Sequence, residues 1–379
     1  MYLLSQSAIL NPSMIESGLT KMLKNQKIPV IQAIVAAALF GASTPLSKVL
    51  LEEIEPIPLA AFLYIGSGLF ALLLLIFQRR KLAPGDVEAK LRRSDIPWLT
   101  GALLAGGVAA PIVLLFSLLN TPASTASLLL NFECVATTLI AALVFLESID
   151  RRIWFAIALL TLASILLTWN AASEWGFSFG ALGILGACIL WGMDNNFTRN
   201  ISAKNPLAIV AVKGLGAGCF SLILSNVMGN TFPSTNNIIS AVLLGGLSYG
   251  LSIILFVLSL RDLGSARTSA FFSTAPFFGA MLSLILFREN IDFIFIVSIV
   301  IMIIGIFLLV AEKHQHLHYH QTILHEHRHH HDDLHHIHTQ GEISHSSFHS
   351  HLHQHDEIEH NHDHAPDLHH RHLHSNHRK

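Results

Sequence analysis

The chain has 379 residues, of which 52% are hydrophobic and 13% charged, with a formal net charge of −2. A soluble domain carries roughly a quarter charged residues, so this composition excludes an ordinary soluble fold. All 25 histidines lie between His314 and His377, which divides the chain into a long apolar body without imidazole and a short tail rich in it.

In chain order, residues 1–27 place Lys21, Lys24 and Lys27 directly before a full-length apolar run. They lack the short apolar region and small-residue cleavage site of a signal peptide, and read as an N-terminal flanking segment. Apolar stretches long enough to cross a bilayer follow at about 28–50, 57–77, 97–119, 122–146, 152–169, 178–198, 206–228, 237–260, 266–287 and 291–311. Continuous runs of this length exclude barrel strands and leave helices. The predicted fold is an all-α membrane protein with ten transmembrane helices and a tail at 314–379. The longest loop, about 78–96, has no room for a catalytic domain. Cys134, Cys188 and Cys219 all fall inside apolar runs and form no disulfide framework or Cys-x-x-Cys site.

Basic residues set the expected orientation. With the N-terminus inside, the inside collects Lys21, Lys24, Lys27, Arg79, Arg80, Lys81, Lys90, Arg92, Arg93, Arg151, Arg152, Arg199, Lys204, Arg261, Arg267 and Lys313. The outside keeps only Lys48 and Arg288. This short-loop bias predicts cytoplasmic N- and C-termini. Because topology accounts for the basic residues, none points to nucleic acid.

The two halves match. FGASTPLSK, Phe40 to Lys48, aligns with WGMDNNFTR, Trp191 to Arg199. Ser127, Cys134 and Glu147 fall on Ser269, Pro276 and Glu289 at one constant offset. Each half has five spans, and an odd number turns the halves opposite ways. Inverted repeats are the signature of alternating-access transporters, with the substrate site near mid-membrane between the halves. The plainer reading is that duplication only enlarges a helical bundle.

These features resemble the EamA family of the drug/metabolite transporter superfamily. The resemblance rests on two five-span repeats and on the F-G-x-x-x-x-x-x-K end of the first span. It rests also on the small-residue-rich fourth and ninth spans, which end in Glu147 and Glu289. It covers about residues 30–311, with one repeat at 28–169 and the other at 178–311. It implies a secondary transporter of a small metabolite, often an exporter, in a bacterial plasma membrane. Such families move amino acids, nucleobases and drugs, so the likeness gives a class and no substrate. Members usually keep a proline in the middle of both equivalent spans. Here Pro276 keeps it, Cys134 replaces it, and Glu133 stands just before.

Ionisable groups at membrane depth cost about 2.5–3.5 kcal/mol each on insertion scales, so each needs a reason. Glu133, mid-span, is the leading candidate for proton coupling or substrate contact, because a carboxyl in apolar surroundings can carry a proton. It could equally be a structural carboxyl bonded to a neighbouring helix. Asp194 and Lys213, one short loop apart, read as an ion pair or as a polar gate. Lys48 and Arg199 occupy equivalent repeat positions near opposite faces and are candidate gating residues or snorkelling side chains. Ser127, Asn131, Trp191 and Tyr249 are candidate cavity-lining residues. Ser124, Ser127 and Asn131 share one helix face, with Glu133 turned away from Asn131. Gly214 and Gly218 signal close helix packing.

In the tail, H-x-H-x-H-x-H runs through His314, His316, His318 and His320. It is followed by His325, His327, His329, His330 and His331, and later by His360, His362, His364, His369, His370, His372 and His374. Imidazole with carboxylates suits divalent nickel, cobalt, zinc or copper. The segment lacks the apolar content to fold alone and is expected to be disordered without metal. Three functions follow: a metabolite transporter with a regulatory or buffering tail, a divalent-metal transporter fed by the tail, or a membrane-anchored metal sensor. With no paired carboxylates at a shared site, nucleophile motif or phosphate-binding loop, no enzyme and no required cofactor are expected. The expected partners are the lipid bilayer, a small-molecule substrate and tail-bound metal ions, with homodimer assembly left open.

Overall fold

The computed structural model describes residues 12–81, 89–145, 151–169, 178–202, 204–263, 265–310, 314–320, 323–329, 349–355 and 358–364. The body is helical: α1 Pro12–Leu50, α2 Pro56–Lys81, α3 Arg93–Leu119, α4 Ala123–Leu143 and α5 Arg151–Thr168. There follow α6 Phe179–Arg199, α7 Pro206–Val227, α8 Thr235–Leu260, α9 Arg267–Phe287 and α10 Phe293–Val310. Side-chain caps start several of them. Ser178 accepts from the Ala181 N–H, Asn205 from Leu207 and Ala208, and Ser234 from Asn237. Each satisfies an end N–H that has no partner inside its own helix.

Among the described residues, 8 helices are long and apolar enough to cross a membrane. Of the ten expected spans, two fall short of that measure. α6 is not among the eight, because Asp194, Asn195 and Asn196 crowd its last turns, and α10 counts as a shorter apolar helix. The chain is an integral membrane protein, with large apolar side chains such as Ile223, Ile285 and Phe307 exposed on its outer faces. The first helix also begins earlier than expected, at Pro12.

Four helices are irregular. α3 carries a π-helical stretch at Leu103–Ala109 and α8 one at Gly246–Leu251. α4 breaks at Leu130–Asn131, and α9 at Ser273–Thr274, ahead of Pro276.

Contacts between the halves are extensive. α1 packs on α8 and α9, α2 on α7 and α8, α3 on α6 and α7, α4 on α6 and α9, and α5 on α10. Glycines let several of these backbones meet, as the Gly214/Gly218 spacing suggests. A Cβ on Gly214 would lie 2.7 Å from the Gly68 Cα and 2.9 Å from the Tyr64 carbonyl. Gly214→Ala is therefore expected to push α2 from α7 and destabilise the fold by about 1–3 kcal/mol, the usual cost of overpacking. Gly186 has nothing within 4 Å of its would-be Cβ. Gly186→Ala should be neutral or stabilising by up to about 1 kcal/mol through helix propensity. Thermal midpoints in detergent measure both, and equal midpoints would refute the close approach.

Outside the helices, Glu55 ties the α1–α2 link to the α7–α8 link. It accepts from the Thr231 N–H at 2.9 Å, the Thr231 Oγ1 at 2.7 Å and the Asn230 amide. The Thr231 backbone N–H, then the Thr231 hydroxyl and the Asn230 amide, hold its carboxyl below the usual range.

The tail was expected to lack structure. Where described, it forms four strands: β1 His314–His320, β2 Ile323–His329, β3 His349–His355 and β4 Ile358–His364. β1 pairs antiparallel with β4, and β2 with β3. The H-x-H alternation has the period of two that a strand needs.

Candidate functional site

The polar end of α6 supplies most of the site. Successive helical residues point about 100° apart, so Asp194, Asn195 and Asn196 reach different neighbours. Asp194 is buried and forms an ion pair with Lys213 of α7. Its second oxygen accepts from Thr198 Oγ1 at 3.0 Å. The Asn195 amide donates to Glu133 Oε1 at 2.8 Å and to Thr137 Oγ1 at 3.1 Å, both on α4. The Asn196 amide donates to the carbonyls of Thr137 and Gly192, at 3.0 and 2.8 Å.

α3 contributes a backbone oxygen. In its π-helical stretch the Ala110 N–H reaches back to the Ala105 carbonyl. The same shift would assign the Gly106 carbonyl to residue 111, which is proline and has no N–H. The Gly106 oxygen therefore points elsewhere, and accepts from Tyr64 Oη at 2.6 Å and Trp191 Nε1 at 3.0 Å. Glycine is needed here for a second reason: a Cβ would collide with the Asp194 carboxylate.

Aromatic rings complete the wall. Tyr64 stacks on Tyr249 with centroids 6.0 Å apart and planes at 28°. Phe40 meets Tyr249 edge-on at 5.8 Å. Asp194 lies against Gly106, Tyr64 and Lys213 lie against Gly107, and Asn195, next to Asp194 on α6, holds Glu133, so these groups adjoin one another. Asp194 and Lys213 cancel each other. Glu133 makes no ion pair among the described residues, and the Asn195 amide donates to its Oε1.

Glu133, Asp194, Lys213, Trp191 and Tyr249 are thus brought together. Ser127 and Asn131 make their contacts elsewhere. Ser127 is buried against Gly279 of α9, its hydroxyl bonded to the Ala123 carbonyl. The buried Asn131 amide donates to the Leu128 carbonyl and contacts the Met302 sulfur of α10 at 3.6 Å. Sequence reasoning missed Tyr64 and the Gly106 carbonyl. Pro111 inside an apolar span was the available signal for the second.

A separate polar cluster joins α1, α4 and α9. Lys48 donates to the Thr121 carbonyl and lies 6.0 Å from the Phe287 ring centre. Glu289 accepts from the Ala123 and Ser124 N–H groups at 2.7 and 3.0 Å, and from the Ser124 hydroxyl. Arg199 is half-buried at the end of α6. Glu147 lies outside the described residues.

In the tail, strand register sets His314, His316 and His318 opposite His364, His362 and His360. It likewise sets His325, His327 and His329 opposite His353, His351 and His349. His320 stands opposite Ile358. His330, His331, His369, His370, His372 and His374 lie outside the described residues. Among the described residues, no group of three or more His, Cys, Asp or Glu is placed to hold a metal ion.

Comparison with known proteins adds three findings. The model of the EamA-like transporter family matches twice, over residues 27–169 and 178–311. An uncharacterized transporter of Methanothermobacter thermautotrophicus is 28% identical over 295 residues, spanning 74% of this chain and 85% of the relative. A solved crystal structure shares the fold with a TM-score of 0.53 at 16% identity, over 73% of this chain and 95% of its own.

Proposed function

Because the chain belongs to the EamA-like transporter family, a family of membrane transporters rather than enzymes, we propose that it is an alternating-access secondary transporter exporting a small organic metabolite. Glu133 carries the coupling proton or meets a cationic group of the substrate. The observation that carries this reading is a carboxyl inside an apolar span that makes no ion pair among the described residues and is held by the Asn195 amide, next to Asp194. An intramembrane acid of this kind is by default functional.

The inverted-repeat layout has structural support. Exchange the halves, α1 with α6 and so on to α5 with α10, and the contacts map onto themselves. α1 on α8 and α9 becomes α6 on α3 and α4, while α2 on α7 and α5 on α10 are their own mirror pairs. The offset that carries Ser127 to Ser269 also lays the π-helical stretch of α3 over that of α8. Two near-equivalent halves supply the two states that alternating access needs. In this reading Lys48, Thr121, Ser124 and Glu289 close the outer end. Arg199 serves at the inner end, and both termini are cytoplasmic.

The tail binds divalent metal as a regulator or buffer. Its support is the register that sets histidine opposite histidine, since directly opposed residues of an antiparallel pair have Cβ atoms about 4.5–5.5 Å apart. The test is flux in proteoliposomes, full-length against a chain ending at Lys313, with a panel of amino acids, nucleobases and nickel, cobalt and zinc. Metabolite flux that survives truncation is the expected result. Metal flux that vanishes with the tail would replace this reading with a metal transporter.

A further inference from the structure

Away from the Glu133 cluster, a lateral pocket of about 430 Å³ opens between the ends of α2, α7 and α8. Leu74 of α2, Val210 of α7, and Ile254 and Val257 of α8 make its wall almost wholly apolar. Phe77 and Leu258, 55% and 39% exposed, also line it and open it toward the bilayer. Two polar side chains line it. Asn205 is already used, capping α7 through the Leu207 and Ala208 N–H groups. Gln78 is not: its Oε1 is buried and accepts no hydrogen bond from any described residue. An unmet acceptor in an apolar wall is costly and points to a donor from a bound molecule.

The chain ends that meet at this pocket are basic. Arg79, Arg80 and Lys81 directly follow Gln78, Lys204 directly precedes Asn205, and Arg261 follows the last residue of α8. The acids near these in the chain or in space are Asp86 and Glu88 in the α2–α3 link, Asp262 after Arg261, and Asp95, 3.9 Å from Lys204; the same link and the start of α3 add the bases Lys90, Arg92 and Arg93. Positive charge remains in excess. A basic mouth above an apolar slot that opens sideways matches a lipid with an anionic head, because the phosphate and the chain have separate partners.

We propose that this pocket is a binding site for an anionic phospholipid of the phosphatidylglycerol type. An acyl chain fills the slot between α2, α7 and α8. The phosphate meets the basic ends of α2, α7 and α8, and a lipid hydroxyl donates to Gln78. The site shares no residue with the Glu133 cluster, so its test is independent of the transport reading.

Native mass spectrometry of the detergent-purified full chain, titrated with phosphatidylglycerol or phosphatidylcholine, tests it. The wild type is expected to retain phosphatidylglycerol at least about tenfold more tightly, a difference near 1.4 kcal/mol. Val257→Trp, which fills the slot, should abolish retention of both lipids. The double change Arg79→Gln with Arg80→Gln lies outside the pocket lining and should erase the preference for the anionic head. Size-exclusion profiles and helical content confirm that each variant is folded. Equal retention of the two lipids by the wild type, or unchanged phosphatidylglycerol binding in folded Val257→Trp, would overturn the proposal.

Discussion

Asp194→Asn is expected to destabilise the protein by about 3–5 kcal/mol, the usual consequence of leaving one partner of a buried ion pair uncompensated. Asp194 is 3% exposed and its pair with Lys213 joins α6 to α7, so the loss would strand an ammonium between two helices. Lys213→Met alone should cost a similar amount, through the carboxylate it strands. The double change Asp194→Asn with Lys213→Met should recover most of the stability, since it removes both charges together. Chemical denaturation in detergent measures all three and gives the coupling energy as a double-mutant cycle. Transport by the double variant then separates two roles. A stable and active double variant makes the pair a structural tie, whereas a stable but inactive one makes it part of the gate. Additive losses with no recovery would mean that the two charges do not act as a pair.

Glu133→Gln is expected to lower flux by about tenfold or more, equivalent to about 1.4 kcal/mol on the limiting step. The substitution keeps shape and keeps an oxygen to accept from Asn195, so folding should be preserved. What it removes is the ability to ionise. If Glu133 carries the coupling proton, the pH dependence of flux should flatten in the variant, while Glu133→Asp should keep it at reduced rate. If it only neutralises a cationic substrate, apparent affinity should weaken while the pH profile keeps its shape. Wild-type flux with a wild-type pH profile would remove Glu133 from the mechanism.

These two experiments act on residues that stand out in the sequence for one simple reason. Charged and polar groups are rare within apolar runs, so Glu133, Asp194 and Lys213 announced themselves. The pairing of Asp194 with Lys213 was also readable, because a short loop between α6 and α7 keeps their ends close. Spacing alone does not place Ser127 and Asn131. Helical spacing correctly turned Glu133 away from Asn131, yet it could not say which side faced the polar cluster. Spacing fixes directions around a helix's own axis and is silent on what lies in each direction. Gly279 of α9 and Met302 of α10, far along the chain, decided that question.

By itself the sequence determined the membrane class, most helix positions, the internal duplication and the polar residues that interrupt the apolar runs. Each of these depends on local composition or on comparison within the chain. Only the tertiary structure decided that Tyr64, Trp191 and the Gly106 carbonyl join Glu133 and Asp194. A π-helical stretch adds a residue to a turn and rotates everything beyond it by roughly 100° relative to a regular helix. The freed Gly106 oxygen acquires its meaning only when Tyr64 and Trp191 arrive from α2 and α6. No local pattern encodes those arrivals, because they depend on how the two halves pack against each other.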